Sequence, residues 1–76
     1  MNRAFILISC DIGSEDDIVL QLKKMHEIQN VMITYGEYDM VAEAQTESPS
    51  QMDELITSKI RKLEKIRSTV TLRSID

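Results

Sequence analysis

From Arg3 to Cys10 the chain reads Arg-Ala-Phe-Ile-Leu-Ile-Ser-Cys, a short apolar run of strand formers closed by the turn-prone Asp11-Ile12-Gly13. Successive strand side chains point to opposite faces, so Ala4, Ile6, Ile8 and Cys10 share one side while Phe5 and Leu7 share the other. Both sides are apolar, and a strand of that kind is normally buried on both. Any fold must therefore cover this strand twice. The chain has 76 residues, and a domain near that size buries only about 60% of the surface its unfolded chain exposes. One Cys and one His leave no disulfide framework and no ligand set for structural zinc. Association is then the remaining supplement to so small a core.

The rest of the chain can be divided by its caps and periodicities. Ser14 before Glu15-Asp16-Asp17 predicts a helix N-cap with carboxylates in the first turn, and Ile18, Leu22 and Met25 follow as one apolar stripe. Asn30 through Tyr35 and Tyr38 through Thr46 read as two strands joined at Gly36-Glu37, a glycine hairpin of the type II′ kind. Ser48-Pro49-Ser50-Gln51 is an S-x-x-Q capping box with Pro at the first helical position, followed by Met52, Leu55, Ile56, Ile60 and Leu63 at helical spacing. Ile66 through Ile75 reads as a last strand.

This order predicts an α+β fold, the ferredoxin-like βαββαβ sandwich, with a four-stranded antiparallel sheet and two helices on one face. Residues 1–76 are expected to form one domain without an internal linker. Two helices cover one sheet face only, so Phe5 and Leu7, or else Ile6 and Ile8, stay wet in a monomer. Met40, Ala42 and Ala44 set against Val41, Glu43 and Gln45 repeat the problem more weakly. Sheet-to-sheet packing of two copies is the most economical cover, and at ~25 cal/mol per Å² a few hundred Å² of apolar surface per copy adds several kcal/mol.

Chemistry is sparse. The formal net charge of −4 argues against sequence-independent attraction to nucleic acid, so no direct DNA binding is expected. The sequence shows no signal-peptide pattern and no run of about 20 apolar residues, so no membrane association is expected, and an unpaired Cys10 points to the cytoplasm. His26 reads as an exposed helix-end residue and Cys10 as a small buried one. Glu15, Asp16 and Asp17 complement a helix dipole, and Met25, Met40 and Met52 are packing. The basic residues Lys59, Arg61, Lys62, Lys65, Arg67 and Arg73 are read mainly as a solvated helix face. No catalytic group, metal site or cofactor is expected.

Tyr35-Gly36-Glu37-Tyr38-Asp39 is the exception. Two of the chain's three aromatics flank a glycine turn, followed at once by a carboxylate. Backbone amides there suit a ligand carboxylate and Asp39 suits an ammonium, the parts needed for a small zwitterion. A structural reading stands beside it: Gly36 makes the turn, the tyrosines pack and Asp39 bonds local backbone.

With the hairpin and last strand together, the chain resembles the effector-binding domain of the Lrp/AsnC regulators. The resemblance rests on the first strand, the Ile18 to Met25 helix, Val31 leading through Tyr35 into Gly36-Glu37-Tyr38-Asp39, and Ile66 followed by Thr69-Val70-Thr71-Leu72. It implies a dimer of packed sheets, assembly into rings that are often octamers, and an amino-acid effector bound between dimers. Carried onto matching positions, Gly36, Tyr38 and Asp39 form one wall of that site, with Thr69 and Thr71 as candidates for another. Full-length members carry a helix-turn-helix domain ahead of this strand, so the chain resembles a stand-alone form that could co-assemble with full-length Lrp/AsnC regulators. It departs locally at Lys65, where the family commonly has Gly. Two other readings remain: a small dimeric α+β-barrel enzyme resembling cofactor-free monooxygenases, though the chain has no Trp and its His is peripheral, and a purely structural oligomeriser.

Overall fold

Burial alternates strictly along β1 (Asn2–Cys10). In the computed structural model, which describes residues 2–74, Ala4, Ile6, Ile8 and Cys10 are buried, while Phe5 keeps 38% of its surface exposed and Leu7 is half-buried. The tie between two apolar sides is broken by β3 (Met40–Thr46), which pairs Ile6 with Ala42 and Leu7 with Val41. Met40, Ala42 and Ala44 are buried, whereas the interleaved positions include Glu43 and Gln45. Sealing that second set would strand polar groups away from water, which costs several kcal/mol unless partners replace the water. The helices therefore cover the Ile6 side.

The remaining elements are α1 (Glu15–Lys23), β2 (Ile28–Ile33), α2 (Pro49–Glu54) running into a π-helical segment (Leu55–Ile60), and β4 (Ile66–Arg73). The strands form one antiparallel sheet in the order β2-β3-β1-β4, the ferredoxin-like α+β arrangement expected from the sequence. The last strand ends at Arg73; the expected end at Ile75 lies outside the described residues.

Ile18 and Leu22 of α1 are buried as the stripe predicts, but Ser14 does not cap through its side chain. Its hydroxyl donates to the Asp11 carbonyl at 2.8 Å instead. At α2 the Ser48 hydroxyl does accept the Gln51 N–H at 3.3 Å, while the Gln51 side-chain oxygen accepts from Glu47, one residue before the cap. The helix is not regular to its end. Leu55 and Ile60 are both buried though five residues apart, a spacing an α-helix would rotate apart, and the π turn brings both onto the sheet. The Arg61 N–H donating to the Ile56 carbonyl at 2.9 Å is its signature.

Two connections differ from expectation. The hairpin strands stop at Ile33 and start again at Met40, so a six-residue loop, residues 34–39, replaces the two-residue turn. The Thr34 N–H donates to the Asp39 carbonyl at 3.0 Å and the Thr34 hydroxyl to the Tyr38 carbonyl at 2.9 Å, closing the loop without primed-turn geometry. Before β4, Lys65 has a φ of 73°, the left-handed conformation for which the resembled family's glycine is suited.

On the uncovered side the register aligns Met32, Val41, Leu7 and Val70 in one row across all four strands, with Phe5 opposite Leu72 in the next. Arg3 and Glu43 flank this apolar field, their charged groups 3.8 Å apart. Among the described residues nothing covers it.

Candidate functional site

Loop 34–39 is held against the end of β1 by its last residue. The Asp39 N–H donates to the Ile8 carbonyl at 2.8 Å, and one carboxylate oxygen accepts the Cys10 N–H at 2.8 Å. The Ser9 hydroxyl donates to the Glu37 carbonyl at 3.4 Å. Gly36, with a φ of 114°, supplies the torsion; a Cβ there would meet nothing within 4 Å, so the demand is conformational and not steric. Tyr35 is fully exposed and does not pack, whereas Tyr38 is half-buried.

Asp39 and Glu37 line a cleft of about 490 Å³ with Ser9, Cys10 and Ile12 from the β1 end and Arg67 and Ser68 from β4. Of the five site residues expected from sequence, Asp39 alone lines it. Gly36 and Tyr38 shape the loop behind it. Thr69 and Thr71 pair with Ile8 and Ile6 and so point to the helix-covered side, one residue out of phase with Ser68, which pairs with Ser9. Arg67, Ser68, Ser9 and Ile12 were not singled out from sequence as site residues. In the sequence Arg67 reads as part of a solvated basic face, and no periodicity signals its role. The departure at Lys65 was the one local hint that this corner is irregular.

Burial pushes the Cys10 thiol up, and the carboxylates of Asp39, Glu15 and Asp11 push it further. A thiol held protonated in this way is a packing group and not a nucleophile.

A second cleft, of about 500 Å³, lies at the opposite end of the sheet, between α2 and its π turn on one side and the start of β2 on the other. Its charges are largely engaged within the fold. Lys59 donates to Glu27 at 3.0 Å, His26 Nδ1 lies 3.5 Å from the other Glu27 oxygen, and Thr46 donates to the Ser48 carbonyl at 2.9 Å. That other Glu27 oxygen, Oε1, is buried without a hydrogen bond. The His26 side chain is 88% exposed, as a helix-end residue should be. No described group of three or more His, Cys, Asp or Glu could hold a metal ion, and no helix among the described residues is long and apolar enough to cross a membrane.

Comparison with known proteins agrees with this fold. The Lrp/AsnC ligand binding domain family matches residues 3–76. Among solved structures, FFRP-DM1 superposes with a TM-score of 0.96 at 36% identity, covering 99% of this chain and 100% of that one. The hypothetical protein PHS023 from Pyrococcus horikoshii gives 0.95 at 36% identity, covering 99% and 90%. The transcriptional regulator NMB0573 from Neisseria meningitidis, solved with L-Met, gives 0.90 at 14% identity, covering 99% of this chain and 50% of its own, a likeness of fold. No curated protein matches. The chain belongs to the Lrp/AsnC ligand-binding domain family, a ligand-sensing module whose structural neighbours include transcriptional regulators.

Proposed function

We propose that this domain is a non-catalytic sensor of a small zwitterion, an amino acid, and that it couples occupancy to assembly. The observation that carries the reading is the Asp39 carboxylate, fixed by the Cys10 N–H through one oxygen and lining a cleft at the end of an uncovered apolar sheet face. A ligand ammonium finds an oriented carboxylate there, and the loop shaped by Gly36 and Tyr38 holds that carboxylate in place. The wall first assigned to Thr69 and Thr71 passes to Ser68 and Arg67. The Neisseria regulator's L-Met makes methionine the first amino acid to try.

The apolar row of Met32, Val41, Leu7 and Val70 packs against the same row of a second copy, and dimers assemble further into a ring. A ligand shifts that assembly only by its differential affinity for the two states. Co-assembly with full-length Lrp/AsnC regulators in the cytoplasm would pass the shift to DNA that this domain does not itself contact. Calorimetry with the twenty amino acids, on wild type and Asp39→Ala, tests the reading. Binding to at least one, weakened by the substitution, is expected; no heat with any of them, on protein shown by native mass spectrometry to be assembled, removes the sensing function.

A further inference from the structure

The β1–β4 ladder breaks at the cleft. Ser9 pairs with Ser68 and Cys10 with Ile66, so Arg67 is an extra residue with no partner on β1. A β-bulge of this kind bends its strand and re-aims a side chain, and such bulges are frequent beside binding sites. Two residues earlier Lys65 holds a positive φ, and its carbonyl accepts the Asp11 N–H at 2.8 Å. Two departures from regular backbone thus fall within three residues, and both bear on where Arg67 points.

The cleft that receives Arg67 is otherwise acidic or neutral. Arg67 is the one cation among its lining residues, which include Glu37 and Asp39. Its guanidinium has no ion-pair partner among the described residues; Lys23, Lys24, Arg61, Lys62 and Lys65 share that state, but none of them lines the cleft. An arginine fork suits a planar carboxylate through two parallel hydrogen bonds. Of the loop amides, those of Thr34 and Asp39 are already bonded to backbone carbonyls and are closed to an anion. Ile12, 99% exposed, stands on the same rim and offers apolar surface.

We infer that Arg67, aimed by the bulge, is the residue that binds the effector's carboxylate, opposite an ammonium held at Asp39, and that Ile12 favours an apolar side chain on the ligand. The inference rests on the reading of this cleft as the effector site. It makes Arg67 a determinant of specificity: a ligand keeping the amine but lacking the carboxylate should be rejected.

The test takes the tightest-binding amino acid from the panel of twenty and its decarboxylated amine, titrated by calorimetry into wild type, Arg67→Lys and Arg67→Gln. Wild type should prefer the amino acid by about 10- to 100-fold, the range of a charge-assisted hydrogen-bonded pair. Arg67→Gln should lose most of that preference while binding the amine as wild type does, and Arg67→Lys should fall between. Thermal melting and sedimentation of Arg67→Gln should match wild type, since the side chain is exposed. Undiminished discrimination in Arg67→Gln overturns the inference and leaves the effector reading standing. A changed assembly state with unchanged affinity also overturns it, giving Arg67 a role between copies. Failure of wild type to bind any amino acid removes both.

Discussion

Ile6 and Leu7 are adjacent, close in volume and equally apolar, but Ile6 is fully buried beneath the helices while Leu7 lies between Val41 and Val70 on the uncovered side. The two clefts differ in the same way in their charges. In one Glu27 is matched by Lys59, whereas in the other Arg67 has no ion-pair partner among the described residues. A group satisfied within one chain stabilises that chain. A group left unsatisfied at a cleft or across a flat apolar face is available to something else, and substitutions should therefore separate stability from association.

The largest effect is expected from Ile6→Ala. Truncating a sealed core side chain removes transfer free energy and leaves a cavity, so stability should fall by about 2–5 kcal/mol in urea denaturation. Leu7→Glu tests the other side. It should leave the far-ultraviolet circular dichroism of a folded chain intact but weaken association by about 3 kcal/mol, roughly 100-fold, because a charge would be buried between two sheets. Sedimentation at a series of concentrations measures that shift. An unchanged sedimentation profile for Leu7→Glu, or unfolding as severe as that of Ile6→Ala, would erase the distinction between the faces.

Much of this asymmetry could be read from residues alone. The alternation in β1 marks two apolar sides, and Glu43 and Gln45 in β3 carry the signal for which side the helices take. The element order followed from the caps and from the change between strand and helix periods. What could not be read depends on pairing between distant segments. The bulge at Arg67 exists only once β1 and β4 are in register, and the parity of Ser68 against Thr69 follows from that register, which places Thr69 and Thr71 on the other side of the strand from the Asp39 cleft. The π turn left a trace in the five-residue step from Leu55 to Ile60, which helical spacing absorbed as scatter. Loop 34–39 looked like a two-residue turn because Gly36 dominates its chemistry, although Thr34 and Asp39 close it.

A smaller effect is expected where β4 enters the sheet beside the Arg67 cleft. Lys65 occupies left-handed torsions that cost a side-chain-bearing residue about 1–2 kcal/mol, and glycine removes that cost while making the unfolded chain more flexible. Lys65→Gly should therefore stabilise the fold by about 0.5–1 kcal/mol, seen as a higher urea midpoint with an unchanged slope. Amino-acid affinity should not move, because the conformation that presents Arg67 is kept. A destabilised variant would show that the Lys65 side chain itself holds this corner.

The smallest effect belongs to the paired charge of the other cleft. Burial alone would push the Glu27 carboxyl up, but the Lys59 ammonium at 3.0 Å, the residue's own backbone N–H and His26 together carry it below its ordinary range. The folded state then holds the Glu27 proton less readily than the unfolded state. The resulting stabilisation is fully present above the unfolded carboxyl's pKa and is lost as pH falls through the lower folded value. Lys59 is half-exposed, so the pair contributes less than about 1 kcal/mol. Urea midpoints followed from about pH 6 to about pH 3 should decline more steeply for wild type than for Glu27→Gln, which has no proton to take up. Equal declines would mean that Glu27 and Lys59 gain nothing from their pairing, and the contrast with the unpaired Arg67 would lose its energetic basis.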